Sequence, residues 1–295
     1  MKKAPFTGSA VAIVTPLNEN GIDYEAYDRL IEFQLANSTD AIVVAGTTGE
    51  ASTLTDEEHV EIIRYTVEKV AGRVPVIAGT GSNDTAYAIE LSKAAEKAGA
   101  DALLLVTPYY NKTSQRGLYY HFKLTADAVK IPVILYNVPG RTGVNISVDT
   151  CKKLSEVENI VAIKEASGDI GLAAKIAAAC GDNLYLYSGN DDMITPMLSL
   201  GGKGVISVLA NVCPKETHDL CASYFEGDVK KSAALQLEYL DLVDALFCEV
   251  NPIPVKTALN MMGFEVGELR LPLYEMADAN KETLRKALIN HGCIK

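Results

Sequence analysis

The chain has 295 residues, of which 48% are hydrophobic, and its formal net charge is -11 at pH 7. This length suits one large α/β core, and the negative charge disfavours binding to nucleic acid and to anionic membrane surfaces. No apolar run approaches the roughly 18 residues of a membrane span, and the N-terminal stretch has no signal-peptide core because Pro5, Thr7 and Gly8 interrupt it. We therefore expect a cytoplasmic location and neither nucleic acid nor a membrane as a partner.

Eight short apolar segments rich in β-branched residues recur along the first 210 residues, with helix-patterned segments between them. In chain order they begin at Ala10, Asp40, Val74, Ala100, Ile131, Asn159, Leu184 and Gly204. Nearly continuous apolar strands are typical of parallel sheets that are covered on both faces, and eight β/α units predict an α/β fold of the (β/α)8 TIM-barrel type. A doubly wound open sheet is the alternative, but the first strand ends in Thr-Pro-Leu and not in a glycine-rich nucleotide turn.

The strand pattern stops after Ala210, and the rest of the chain is patterned as helices. We predict these helices at residues 215–225, 229–249, 255–262 and 281–290. The sequence thus indicates a barrel over residues 1–225 and a helical C-terminal extension over residues 226–295.

The cysteines and histidines do not form a recognisable metal-binding or disulfide pattern. Six cysteines are scattered without a CxxC pair, and four histidines occur without an HExxH motif. In a chain of this size we expect reduced thiols, no metal site and no bound cofactor.

A lysine closes the sixth strand, and TIM-barrel active sites lie at the C-terminal ends of the strands. Strand alternation predicts that Lys164 shares a face with Ala162, opposite Val161 and Ile163. An amine enclosed in a barrel mouth is favoured in its neutral form, which attacks carbonyl carbons. A strand-end lysine that extends into solvent is the alternative, and this feature alone does not decide between them.

Two threonines follow the second strand, within the glycine-framed segment 46–50. Thr47 and Thr48 suit binding of a carboxylate through hydroxyls and backbone N–H groups, although ordinary turn chemistry also explains them. The segment 55–58 matches a capping box for the next helix and is structural.

Tyrosines and an arginine follow the fourth and fifth strands. Tyr136 is suited to proton transfer and Arg141 to gripping a carboxylate, whereas a purely amphipathic packing role is the alternative for the tyrosine. Tyr109 and Tyr110, after the fourth strand, are consistent with an exposed loop or a subunit contact.

Two other features receive no catalytic role. The glycine-rich segment 201–204 precedes the eighth strand, so a tight turn explains it better than a phosphate site does. His59 and His121 lie within predicted helices and are interpreted as surface residues.

Four motifs carry a family resemblance: GTTGEAST, LLLVTPYYNK, YNVPGRTG and VAIKEASGD, in this order and each at a strand end. Together they resemble the dihydrodipicolinate synthase branch of the pyruvate-dependent class I aldolases, over essentially the whole chain. The resemblance implies that Lys164 forms an imine with pyruvate, with no metal or other cofactor. The enamine then attacks aspartate semialdehyde, and cyclisation gives hydroxytetrahydrodipicolinate, on the route to diaminopimelate and lysine.

The same resemblance implies roles for other strand-end residues. Tyr136, Thr47 and Tyr110 form a proton relay, and Tyr110 enters it from a neighbouring subunit. Thr48 holds the carboxylate of pyruvate, and Arg141 holds that of the semialdehyde. Two positions match backbone groups that line the pocket: Gly189 and Ile206. Family members are often homotetramers built as dimers of dimers, and we expect the same here.

Three other functions remain open at this stage. N-acetylneuraminate lyase and keto-deoxy-sugar-acid aldolases share the lysine and the tyrosine, but Arg141 favours a short aldehyde that bears a carboxylate. A non-enzymatic barrel that only binds a keto acid would not need the nucleophile. A metal-dependent class II aldolase lacks its histidine ligands in this sequence.

The regulatory positions depart from the pattern of feedback-inhibited members, which bind lysine through a histidine and a glutamate. Here those positions are Asp56 and Tyr87, while Asn83 and Tyr109 are retained. We therefore predict weak or absent inhibition by lysine.

Overall fold

The computed structural model describes residues 2–295 and contains a closed barrel of eight parallel strands. Each strand is hydrogen bonded to the next one along the chain, and the eighth returns to the first. The strands are β1 (Gly8–Ala12), β2 (Ala41–Val44), β3 (Val76–Gly79), β4 (Ala102–Val106), β5 (Val133–Asn137), β6 (Ile160–Glu165), β7 (Tyr185–Ser188) and β8 (Gly204–Ser207). The predicted TIM barrel is confirmed.

Helices surround the barrel and continue beyond it. They are α1 (Tyr24–Ala36), α2 (Asp56–Val70), α3 (Thr85–Lys97), α4 (Gln115–Asp127), α5 (Pro139–Thr142), α6 (Val148–Leu154), α7 (Ile170–Cys180), α8 (Ile194–Ser199), α9 (Pro214–Phe225), α10 (Val229–Glu238), α11 (Leu240–Leu246), α12 (Ile253–Met261) and α13 (Asp278–Asn290). Shorter 3-10 turns lie at Ala51–Thr53, Gly181–Asn183, Asp191–Met193 and Leu209–Asn211, and a small hairpin pairs Leu17–Asn18 with Gly21–Ile22. None of the helices within residues 2–295 is long and apolar enough to cross a membrane.

Polar residues at the ends of the loops start the helices. The predicted capping box is confirmed at α2, where the backbone N–H of Glu58 donates to Thr55 Oγ1 at 3.2 Å and Glu58 accepts from the backbone N–H of Thr55 at 3.0 Å. The same N-capping role is taken before other helices by Asp23, Asp84, Ser114, Ser147 and Asp169. These caps satisfy the free N–H groups of each first turn and fix where each loop ends.

The strands pack against the helices on their outer side and fill the barrel on the inner side. A bulge in β6 modifies this alternation, because Val133 pairs with Ile160 while Ile134 pairs with Ala162. Val161 therefore packs in the interior beside Ala162, and its predicted outward orientation is wrong. Ile163 lies on the helix side as predicted.

The C-terminal helices agree with the sequence except at one break. The helix predicted over 229–249 is two helices, α10 and α11, which are interrupted at Tyr239, whose ψ is 5°. The ring of Tyr239 stacks on His291 with centroids 4.5 Å apart, so contact with the C-terminal segment accompanies the break. Helical periodicity alone does not reveal this contact.

The interpretation of His59 and His121 as surface residues is wrong, since both are buried. They lie on the inward stripes of α2 and α4, which also bury Ile62 and Phe122. His59 Nε2 is 2.8 Å from the carbonyl of Gly79, and His121 Nδ1 hydrogen bonds to a neighbouring hydroxyl. Both histidines are packing residues of the helical layer.

Candidate active site

Lys164 lies near the C-terminal end of β6 and is only 6% exposed. The strand register places it between Tyr136 on β5 and Tyr187 on β7. Its Nζ is 4.4 Å from the centroid of the Tyr136 ring, a cation–π distance. The amine is therefore enclosed, and the alternative of a lysine extended into solvent is wrong.

Tyr187 fills the barrel on the N-terminal side of the lysine. Its ring stacks on Phe6 with centroids 4.3 Å apart, and its hydroxyl donates to the Phe6 carbonyl at 2.6 Å. Phe6 and Tyr187 thus fill part of the barrel interior next to Lys164.

A buried carboxyl group near the lysine was not identified from the sequence. Asp191 Oδ2 accepts from the backbone N–H groups of Val208 and Leu209, both at 2.9 Å. Burial raises the pKa of Asp191, while its hydrogen bonds and the charge of Lys164 act in the opposite direction. Asp191 follows β7 by three residues, so the strand-end rule that identified Lys164 could also have identified it.

The ends of β5 and β6 are held together one residue beyond Tyr136 and Lys164. Asn137 Nδ2 donates to Glu165 Oε2 at 2.8 Å and to Asn145 Oδ1 at 2.6 Å. Burial raises the pKa of Glu165, while the donors to its carboxylate oppose that effect. The link between Asn137 and Glu165 keeps the preceding pair, Tyr136 and Lys164, side by side.

The loop after β2, residues 46–50, is called the threonine loop, and it presents one buried and one exposed hydroxyl. Thr48 is buried and its Oγ1 accepts from Asn251 Nδ2 at 3.0 Å, whereas Thr47 is exposed. Glu50 closes the loop in the left-handed conformation, with φ 55°, and its backbone N–H donates to the Thr47 carbonyl at 3.1 Å. The loop is therefore ordered by its own turn hydrogen bonds and by the C-terminal extension.

A buried ion pair connects the same loop to α12. Lys256 Nζ donates to Glu50 Oε1 at 2.7 Å, and the side chains are 2% and 0% exposed, respectively. The other carboxylate oxygen of Glu50 accepts from the backbone N–H of Arg270 at 3.0 Å. Breaking a buried pair leaves an uncompensated charge, so this contact strongly favours the observed position of the extension.

Arg141 lies in α5, at the rim of the mouth, with its side chain exposed. Its Nη2 donates to the backbone carbonyl of Asn251 at 3.0 Å. Asn251 thus contacts Arg141 through its backbone and Thr48 through its side chain. Asn251 was not identified from the sequence, because it lies outside the strand-end segments.

The remaining predicted residues occupy different surroundings. Tyr110 has a positive φ of 68° and is 91% exposed, so it stands almost wholly in solvent, unlike the buried Tyr136. Gly189 donates its N–H to the Glu165 carbonyl at 2.8 Å, and a Cβ there would lie 2.5 Å from the Ala166 Cβ. Ile206 is buried in the barrel interior.

Comparison with known proteins identifies the family. The model of the family described as the dihydrodipicolinate synthetase family matches residues 5–291. The chain belongs to this family. The family resemblance predicted from the four motifs is confirmed.

Individual members of the dihydrodipicolinate synthetase family match the chain over nearly its full length. The 4-hydroxy-tetrahydrodipicolinate synthase of Acetivibrio thermocellus is 59% identical over 294 residues, which is 100% of both chains. The crystal structure of dihydrodipicolinate synthase from Aquifex aeolicus is 49% identical with a TM-score of 0.95, covering 98% of this chain and 99% of that one. A structure described as a monomeric dihydrodipicolinate synthase variant is 44% identical with a TM-score of 0.96, covering 98% of both.

No cluster of metal-ligating side chains accompanies this site. Within residues 2–295, no group of three or more histidine, cysteine, aspartate or glutamate side chains is arranged to hold a metal ion. The polar groups around the mouth are an amine, hydroxyls, an amide, a guanidinium and the buried carboxyl group of Asp191.

Proposed function

We propose that this protein is a 4-hydroxy-tetrahydrodipicolinate synthase, a lyase that condenses pyruvate with L-aspartate 4-semialdehyde through a covalent imine on Lys164. The observation that carries the proposal is the enclosed amine of Lys164, held against Tyr136 at the end of β6. The full-length similarity to a synthase at 59% identity supports the same reaction. This reaction is the committed step towards diaminopimelate and lysine.

In the proposed first half-reaction, the neutral amine of Lys164 attacks the keto carbon of pyruvate, and loss of water gives the imine. Removal of a methyl proton then gives the enamine nucleophile. The hydroxyl of Thr48 is suited to hold the pyruvate carboxylate, because Asn251 fixes the threonine oxygen and leaves its hydrogen free to be donated. Gly189 and Ile206 line the pocket in this proposal.

In the second half-reaction, the enamine carbon attacks the aldehyde carbon of the semialdehyde and restores the imine to Lys164. The amino group of the semialdehyde then attacks the imine carbon, and the bond to Lys164 breaks, which closes the ring and releases the lysine amine. We assign Arg141 to the semialdehyde carboxylate, since an exposed guanidinium at the rim provides a charge-matched partner. Tyr136, Thr47 and Tyr110 are proposed as the proton relay. The exposure of Tyr110 suits its insertion into the mouth of a neighbouring subunit.

The assembly and location follow the same proposal. We propose a homotetramer built as a dimer of dimers, and the monomeric variant among the relatives makes this a matter for direct measurement by analytical ultracentrifugation. A cytoplasmic location stays a prediction. The division into a barrel over 1–225 and an extension over 226–295 is likewise proposed, with Asn251 as the contribution of the extension to the site.

Borohydride reduction in the presence of pyruvate, followed by peptide mass mapping, tests the imine. We expect an adduct on Lys164 and on no other lysine. The substrate is tested by comparing turnover of aspartate semialdehyde with that of sugar-derived aldehydes. Faster turnover of the sugar-derived aldehydes would reassign the protein to the sugar-acid aldolases, while an adduct on another lysine would reject the proposed mechanism.

A further inference from the structure

Two cysteines that are distant in sequence meet at the junction between the barrel and the end of the chain. The Sγ atoms of Cys213 and Cys293 are 3.5 Å apart, although 80 positions separate them in the chain. Cys213 lies between the 3-10 turn after β8 and the start of α9, and Cys293 follows α13. Neither thiol has a place in the proposed reaction.

We propose that Cys213 and Cys293 are a reversible oxidation site, at which hydrogen peroxide converts the two thiols into a disulfide that ties the C-terminal segment to the barrel.

The backbone holds both sulfurs in this position. The N–H of Cys213 donates to the Leu209 carbonyl, and that of Cys293 donates to the Leu288 carbonyl, both at 2.9 Å. A disulfide has an S–S bond of about 2.05 Å, so the sulfurs need to approach by only about 1.5 Å. Rotation of the two cysteine side chains supplies a movement of this size, so the bond does not require α9 and α13 to move.

The pair has the asymmetry of an attacking and a resolving thiol. Cys293 is half-buried, whereas Cys213 is buried. The hydrogen bond from Cys213 lowers the pKa of Cys293, and the same contact raises the pKa of Cys213. Cys293 is thus both the more accessible sulfur and the one whose thiolate has a hydrogen-bond donor beside it.

The other cysteines lack this combination. Burial raises the pKa values of Cys151, Cys180 and Cys221, and it is also the largest cause of the rise at the exposed Cys248. The selectivity of the proposed oxidation therefore comes from the paired sulfurs and not from exposure alone.

The oxidation balances with one peroxide molecule. The Cys293 thiolate attacks one peroxide oxygen and breaks the O–O bond, which gives a sulfenic acid and a hydroxide that is protonated to water. The Cys213 sulfur then attacks the sulfenic sulfur, the S–O bond breaks, and the oxygen leaves as a second water with the Cys213 proton. The thiols lose two electrons, and the peroxide gains them.

The test treats the full-length protein with hydrogen peroxide, blocks remaining thiols, and digests it with trypsin without reduction. Each cysteine falls in its own tryptic peptide, and the two of interest are GVISVLANVCPK (204–215) and ALINHGCIK (287–295). We expect these two peptides to be cross-linked and to separate on treatment with dithiothreitol. We also expect the oxidised protein to melt about 5 °C higher, because the bond restricts a long loop in the unfolded chain.

Matched variants separate this proposal from general oxidation. Cys293→Ser is expected to lose both the cross-link and the rise in melting temperature, whereas Cys248→Ser, which removes an exposed cysteine, is expected to keep both. Cys213→Ala tests whether the buried partner is needed for the cross-link. If Cys213→Ala folds poorly, Cys293→Ser still tests the pair. Sulfinic acid on Cys293 without a cross-link, or a rise in melting temperature that persists in Cys293→Ser, would overturn the proposal.

Discussion

The inside of the barrel mouth and its rim are built in different ways. Inside, Lys164 and Tyr136 are buried on neighbouring strands, and their separation is fixed by the strand register. At the rim, Arg141 on the short helix α5 and Tyr110 on a loop are both exposed, and Arg141 is oriented by Asn251 from the C-terminal extension. The difference indicates that the sheet fixes the residues proposed for covalent chemistry, while the residues proposed for substrate selection depend on segments that meet only in the finished fold.

The strongest test of the interior is Lys164→Ala. We expect kcat/KM to fall by at least about 1,000-fold, because the change removes the proposed nucleophile. Borohydride trapping should fail as well. Lys286→Ala, which changes an exposed lysine on α13, serves as the control and should leave both measurements unchanged. Turnover by Lys164→Ala at the parental rate would show that the barrel interior takes no part in the reaction.

At the rim, Arg141→Ala should raise the KM for aspartate semialdehyde by roughly 10- to 100-fold, the cost of losing a charged hydrogen-bond partner. The amount of imine trapped with pyruvate alone should not change, since that step uses the interior. The control is Arg285→Ala, at an exposed arginine on α13. If the amount of imine trapped with pyruvate also fell, Arg141 would act on the pyruvate step as well, and the proposed division between interior and rim would be wrong.

The connection between the two regions is tested by Asn251→Ala. This change removes the side-chain donor to Thr48 but keeps the backbone carbonyl that Arg141 contacts. We expect the KM for pyruvate to rise about fivefold, as for the loss of one hydrogen bond, with a smaller change for the semialdehyde. Asn290→Ala, at an exposed position, is the control. A larger effect on the semialdehyde would assign Asn251 to the rim alone.

The smallest expected effect is that of lysine, outside the mouth. Tyr87 donates to Asp56 Oδ1 at 2.6 Å, so the two residues that we expect at the family's lysine-binding positions bind each other. Initial rates should therefore change little as lysine is added. The double variant Asp56→His with Tyr87→Glu should be inhibited more strongly than the parent. Tight inhibition of the parent protein would contradict this prediction.

The interior was predictable because two-residue alternation and the strand-end rule are local. They placed Lys164 and Tyr136 at neighbouring strand ends, where both are buried, but misplaced Val161, since the bulge in β6 depends on how β5 and β6 pair. His59 and His121 were misplaced because sequence position within a helix does not by itself give the direction of its buried stripe. Asn251 and the Cys213–Cys293 contact could not be predicted, as each joins segments far apart in the chain.

The buried pair of Glu50 and Lys256 has a consequence for synthesis of the chain. Glu50 belongs to the loop after β2. Its two partners, the amine of Lys256 and the backbone N–H of Arg270, are synthesised more than 200 residues later. While the chain emerges from the ribosome, this carboxylate must stay hydrated, because burying it alone would be costly. We infer that the threonine loop closes only after the last segments have been translated, and that nascent chains truncated before residue 256 hold it open.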